Sequence, residues 1–128
     1  MAYSGMTFLM PSGTYHNPNV KHLFIVCTDM DENGNVLLAS VSSWKNRLCD
    51  PTCKLAAGCH EFITKDSYVM YRKSRVEAAA TIDKGIRTGV FVQKDDVGKH
   101  LIQAALDGFC ASKQTPRKIK RYVESLNQ

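Results

Sequence analysis

The residues whose types could do chemistry crowd into one stretch, Asp50 to Tyr71, reading D-P-T-C-K-L-A-A-G-C-H-E-F-I-T-K-D-S-Y-V-M-Y. His60 is the leading catalytic candidate. An imidazole exchanges protons near neutral pH, as RNA cleavage or acyl transfer requires. Gly58 permits a tight turn just before it, and Glu61 or Asp66 stands close enough in sequence to orient the ring. The alternative is a histidine hydrogen-bonded within its own loop. Cys49, Cys53, Cys59 and His60 are zinc-donor types, but C-x3-C followed by C-H departs from the two-residue spacing of a zinc knuckle, and adjacent Cys59 and His60 cannot easily reach one ion. Small buried thiols are the plainer reading, and no metal is assigned.

Hydroxyls and cations flank this stretch. Ser42 and Ser43 close an apolar run, where a hydroxyl would contact a phosphate while Lys45 and Arg47 stabilise developing negative charge. A merely polar strand end is the alternative. Ser67 and Tyr71 share one face of a short extended segment and add two more hydroxyls. Arg72, Lys73 and Arg75 follow directly, and Lys113, Arg117, Lys118, Lys120 and Arg121 cluster near the C-terminus. Ser42, Tyr71, Arg72, Lys73, Arg117 and Lys118 are therefore the candidate substrate contacts. No aromatic residue interleaves on the basic C-terminal segment to stack a base, so a solvated helix face is its alternative. G-x-S-x-G, a glycine-rich phosphate loop and H-E-x-x-H are all absent from the sequence.

These residues need elements to position them. The first twenty carry Gly5, Pro11, Gly13, Asn17, Pro18 and Asn19, which is turn and loop chemistry, with Thr14, Tyr15 and His16 placed to drape over a barrel mouth. Lys21 to Asp29 is a β run, Asp31-Glu32-Asn33-Gly34-Asn35 a hairpin turn, and Val36 to Ser42 the return strand. Both runs are almost continuously apolar, as for strands covered on two sides or closed into a barrel. Short strands are expected at Gly58–Ile63, Tyr68–Tyr71 and Gly89–Gln93. Val76 to Ile82 reads as either helix or strand. Two helices end the chain. The first is capped at Asp95 or Asp96, has a stripe of Val97, Leu101, Ile102 and Ala105, and stops at Gly108. The second is capped by Thr115, with Pro116 in its first turn and a stripe of Ile119, Tyr122, Val123 and Leu126.

The expected architecture is one α+β domain over residues 1–128: a small, strongly bent antiparallel barrel over about 20–94 and two helices over about 95–126. With 44% hydrophobic and 23% charged residues the composition is that of an ordinary globular protein. Net charge of +5 suits a phosphate-bearing partner. No apolar run is long enough to span a bilayer, no signal peptide is read, and five cysteines fit reduced thiols in a cytoplasm.

The hairpin K-H-L-F-I-V-C-T-D … N-G-N-V-L-L-A-S-V-S-S, the central C-x-L-x-x-G-x-H-x-F-I-x-x-x-S-Y-V-x-Y pattern and the Q-T-P-R-K-I-K tail resemble a group of small bacterial and phage proteins related to the MazF/PemK-type toxins. The resemblance covers roughly residues 13 to 125. It implies an SH3-like β-barrel with appended helices. It also implies a toxin-like endoribonuclease that cleaves single-stranded RNA by 2′-hydroxyl attack on the adjacent phosphate, with neither metal nor cofactor. The toxins' strand-end Ser or Thr falls on Ser42 or Ser43, whereas Lys21-His22 stand where the toxins carry an arginine. Cys59 and Glu61 flank His60 where Asp and Pro are frequent in the small group. On this reading His60 is acid or base, Ser43 and Ser67 contact phosphate, and Lys45 or Arg47 stabilises charge. An antitoxin protein and a homodimer are the further partners implied. The alternative is a non-catalytic barrel that binds nucleic acid or a protein partner.

Overall fold

The computed structural model describes residues 1–11 and 20–126. The loop holding Thr14, Tyr15 and His16 lies outside them.

One antiparallel sheet organises the chain. Among the described residues its strands are β1 (Thr7–Pro11), β2 (Lys21–Val26), β3 (Asn35–Ser43), β4 (Lys54–Leu55), β5 (Ser67–Val69), β6 (Arg75–Ala78) and β7 (Val92–Lys94). They run in the order β4-β5-β3-β2-β1-β7. The long β3 serves two partners on one edge: its first half pairs with β6 and its last residues with β5. The β2–β3 hairpin turns where Asn-Gly predicts. Gly34 takes φ 78°, a left-handed conformation that side chains disfavour, and the Asp31 carboxylate accepts the backbone N–H groups of Asn33 and Asn35.

Helices lie on both sides of the sheet. Between β6 and β7 runs α1 (Ala79–Thr88), followed after β7 by α2 (Lys99–Ala111) and α3 (Arg117–Leu126). Odd-numbered β3 residues (Leu37, Ala39, Val41) pack with Leu23, Ile25 and Val69 against Ala105 and Phe109 of α2 and Ile119 and Val123 of α3. Even-numbered Val36 and Leu38 pack with Phe8, Phe24 and Val26 against Ala79 and Ile82 of α1. This double cover explains the unbroken apolar runs of β2 and β3 without barrel closure.

Several expectations are corrected. The strands are not closed into an SH3-like barrel, since no pairing among the described residues joins β4 to β7. The sheet begins before residue 20, because Thr7–Pro11 pairs with both β2 and β7 despite its loop-rich surroundings. Gly58–Ile63 is a knot of turns closed by the Gly58 N–H on the Ile63 carbonyl, and the strand in this region is Lys54–Leu55. The ambiguous Val76–Ile82 divides into the end of β6 and the start of α1. Gly98, not Asp95 or Asp96, precedes α2, which runs past Gly108 to Ala111. Thr115 does not cap α3, since its buried hydroxyl has no hydrogen-bond partner.

Candidate functional site

The second face of the sheet is only partly covered. Helix α1 seals the end holding Phe8, Val26 and Leu38. At the other end the same face turns polar. Met10 pairs with His22, and Ser42 pairs with Tyr68, which in turn pairs with Lys54. The register that sets Leu23 opposite Val41 brings His22 beside Ser42. A row His22–Ser42–Tyr68 therefore crosses three adjacent strands with side chains on one face, neighbours standing about 5 Å apart.

Two adjoining cavities, of about 650 and 430 Å³, open over this end and share Met70 and Arg72; a third, of about 430 Å³, wraps the strand ends, lined by His22, Ser42 and Lys45 but also by Leu23, Val41 and Ser67 of the other face. Their cations are Lys21, Lys45, Lys65, Arg72, Lys73 and Arg75, against one lining carboxylate, Glu61. Arg75 is partly balanced by Glu77, 3.5 Å from its Nε. The groove is therefore strongly positive. His22 registers that field: burial, then the Lys45 and Lys73 ammonium groups, hold its pKa below the ordinary imidazole value.

Neighbouring groups are bound into the row. Burial and a hydrogen bond to Cys49 push the Tyr68 phenol up, while a bond from Ser42 acts the other way. The Cys49 thiol is pulled down by backbone hydrogen bonds from Asn46 and Lys45 and by the Tyr68 hydroxyl. Trp44 meets Tyr68 edge-on, ring centroids 5.6 Å apart, with the Lys54 ammonium 4.6 Å above the indole.

The expected site residues scatter. Ser42 and Lys45 lie in the groove, and Arg72 and Lys73 line it as exposed cations. Ser43 and Ser67 pair across β3 and β5 and line the cavity at the strand ends, where the Ser67 hydroxyl donates to the Lys65 carbonyl at 2.9 Å. Arg47 is exposed and lines none of these cavities. Tyr71 cannot contact substrate as expected: it is fully buried, and its hydroxyl donates to the Ala105 carbonyl at 2.7 Å. Arg117 and Lys118 sit on α3, on the opposite face of the sheet.

His60 does not join the groove either. It is buried, with both ring nitrogens taken. Nδ1 accepts the Phe62 backbone N–H at 3.0 Å, which leaves Nε2 to donate to the Asp95 carbonyl at 2.7 Å. The same carbonyl accepts the Thr7 hydroxyl at 2.6 Å. The ring clamps the 58–63 turns to β1 and to the approach to α2. This is the loop-histidine alternative, and it leaves no free nitrogen to move a proton. Among the described residues no group of three or more His, Cys, Asp or Glu side chains is placed to hold an ion.

Comparison with family models, with curated proteins and with solved structures gave no match. No described helix is long and apolar enough to cross a membrane.

Sequence reasoning named Lys21-His22 only for the toxin arginine they replace and Cys49 only as a zinc-donor type, and did not place them or Tyr68 beside Ser42. The signal for His22 was present. Folding the hairpin about its Asn-Gly turn sets His22 opposite Ser42, and their shared parity puts both side chains on the face away from Leu23 and Val41.

Proposed function

We propose that this chain binds single-stranded RNA along the groove over His22, Ser42 and Tyr68. One observation carries the reading: Lys45, Arg72, Lys73 and Arg75 converge on this open end of the sheet, with Lys21, Lys65 and Glu61 around the adjoining strand ends. Phosphate neutralisation of this kind supplies most of the affinity of such surfaces and makes it salt-dependent. Trp44, partly exposed and edge-on to Tyr68, lines a neighbouring cavity and would let a flexible strand that leaves the groove stack a base. The resemblance to MazF/PemK-type toxins selects RNA. In fluorescence anisotropy with a labelled RNA oligonucleotide, affinity should fall roughly fiftyfold between about 50 and about 200 mM salt if about four phosphates are neutralised. Changing Lys45, Arg72 and Lys73 together to alanine should flatten that slope. Salt-insensitive binding, or an unchanged slope in the triple variant, would overturn the reading.

The His22–Ser42–Tyr68 row favours a second reading, that the groove also cuts the strand. His22, whose imidazolium form is disfavoured by burial and then by the Lys45 and Lys73 charges, would take the 2′-hydroxyl proton as that oxygen attacks the adjacent phosphorus. The P–O5′ bond would break, leaving a 2′,3′-cyclic phosphate and a 5′-hydroxyl. The departing oxygen would take its proton from Tyr68, since even a phenol with a raised pKa is more acidic than an alcohol. Lys45 and Lys73 would stabilise the extra phosphorane charge. Cyclic-phosphate ends formed by the parent protein and lost in His22→Ala would support cleavage. Equal cutting by both proteins would exclude His22 as the base.

A further inference from the structure

The open surface over the His22–Ser42–Tyr68 row has a closed end. One step along the strands on the same face lie Phe24 and Ser40, paired across β2 and β3. One step further lie Val26 and Leu38, packed beneath Ala79 and Ile82 of α1. A cavity of about 430 Å³ opens at this boundary, and His22, Arg72, Lys73 and Arg75 all line it. A strand in the groove has room to leave over the strand ends but no path beneath α1.

Phe24 and Ser40 are only 2% and 3% exposed, so a ligand meets the cations of the rim rather than the floor. Arg72, Lys73 and Arg75 are exposed. Arg75 pairs with Leu38, which sets its side chain on this face, and its Nη1 reaches the Met10 thioether of β1 at 3.7 Å. A thioether is a weak acceptor. With Glu77 3.5 Å from Nε, the guanidinium keeps donors for a stronger acceptor. No carboxylate among the described residues lines the cavity. A bridging phosphodiester carries a single negative charge. A phosphate monoester carries about −1.5 to −2 at pH 7, on three free oxygens. Three cationic side chains around one cavity match the monoester.

Resting on the groove reading above, we propose that this cavity holds the terminal phosphomonoester of the bound RNA strand. Arg75 and Lys73 are its partners, and Arg72, which also lines the adjoining cavity, holds the next bridging phosphate. The groove then recognises an RNA end rather than the middle of a long strand. A 5′-phosphate and a 3′-phosphate share this chemistry.

The test is competition in fluorescence anisotropy. The full chain is bound to a labelled RNA oligonucleotide and challenged with unlabelled pentauridylates bearing a 5′-phosphate, a 3′-phosphate or hydroxyls at both ends. A hydroxyl-ended hexauridylate adds one bridging charge without a monoester. The 5′- or the 3′-phosphorylated pentamer should compete about tenfold better than the hydroxyl pentamer and the hexamer, the scale of one hydrogen bond to a charged group. The better competitor identifies the end. Arg75→Ala or Lys73→Ala should cut that preference to about twofold, and Arg75→Lys should keep more of it than Arg75→Ala. A thermal melt of each variant controls for folding, which these exposed side chains should leave intact. Phosphorylated pentamers no better than the hexamer, or a preference unchanged in both alanine variants, would overturn the end pocket and leave the groove standing. No salt-dependent binding by the parent would overturn both.

Discussion

Two histidines have exchanged the parts that their sequence neighbourhoods suggest. His60, set among turns, thiols and acids, is a structural clamp, and His22, set inside a β run, faces the basic groove. Removing the clamp leaves the Asp95 carbonyl and the Phe62 N–H without their partner, so His60→Ala should destabilise the fold by about 2 kcal/mol. Urea unfolding measures that loss, and RNA binding by the folded fraction should persist. A stable His60→Ala protein that no longer acts on RNA would return His60 to the site. His22 predicts the opposite pattern. Its folded pKa lies below the unfolded value of about 6.5, so in that window the unfolded state binds the proton more readily. Stability should therefore decline as pH falls through and below that unfolded value, and this contribution should vanish in His22→Ala. Bound phosphate counters the Lys45 and Lys73 fields and favours the imidazolium, so RNA affinity should rise as pH falls. NMR titration of the His22 ring with and without oligonucleotide checks both signs, and a pKa unmoved by RNA would place the strand elsewhere.

At the scale of elements, α2 shows how one contact replaces an expected boundary. Gly108 reads as a helix end, yet the helix continues to Ala111. The glycine is needed because Tyr71 occupies the space its side chain would fill: a Cβ at Gly108 would overlap the Tyr71 hydroxyl. That hydroxyl reaches past it to the Ala105 carbonyl, and the ring meets Phe109 edge-on at 4.9 Å. Alanine is better than glycine in a helix interior by about 1 kcal/mol, but overpacking a filled core costs about 1–3 kcal/mol. Gly108→Ala should thus lower Tm, and Gly108→Ala with Tyr71→Phe should recover part of the loss. A raised Tm in the single variant would show that Tyr71 yields easily. Asp50 makes a similar tie at the far end of α2. Burial raises its pKa, but hydrogen bonds from Ser112 and Thr52 outweigh that and leave it lowered, so the turn dipeptide Asp50-Pro51 is anchored to the helix end.

For the whole molecule, the distribution of charge over two faces is the decisive feature. The sheet separates Lys45, Arg72 and Lys73 from α3, whose apolar side packs Ile119 and Val123 into the opposite core; Lys118 meets the groove only at the β6 edge, where it lines a cavity with Arg75. Tyr122 fixes that helix further, donating to the Asp31 carboxylate at 2.7 Å. The densest basic cluster of the sequence therefore lies away from the proposed binding surface. Arg117→Ala with Lys118→Ala should change the salt slope of RNA binding far less than Lys45→Ala with Arg72→Ala. Equal losses would mean that the strand wraps around the edge of the sheet to reach α3.

The sequence by itself determined the hairpin, the α+β class and the two C-terminal helices, because alternation, turn residues and apolar stripes are local signals. It also announced two-sided burial of β2 and β3, but not whether helices or a closed barrel supply the cover. Only the tertiary structure placed α1 over one end of the sheet and left the other end open, drew Thr7–Pro11 into the sheet, and turned Tyr71 and His60 inward. A residue's neighbours in the chain state what it is able to do. Which groups bond it or charge its surroundings depends on segments far away in sequence, here Asp95 on one imidazole and Lys45 and Lys73 facing the other.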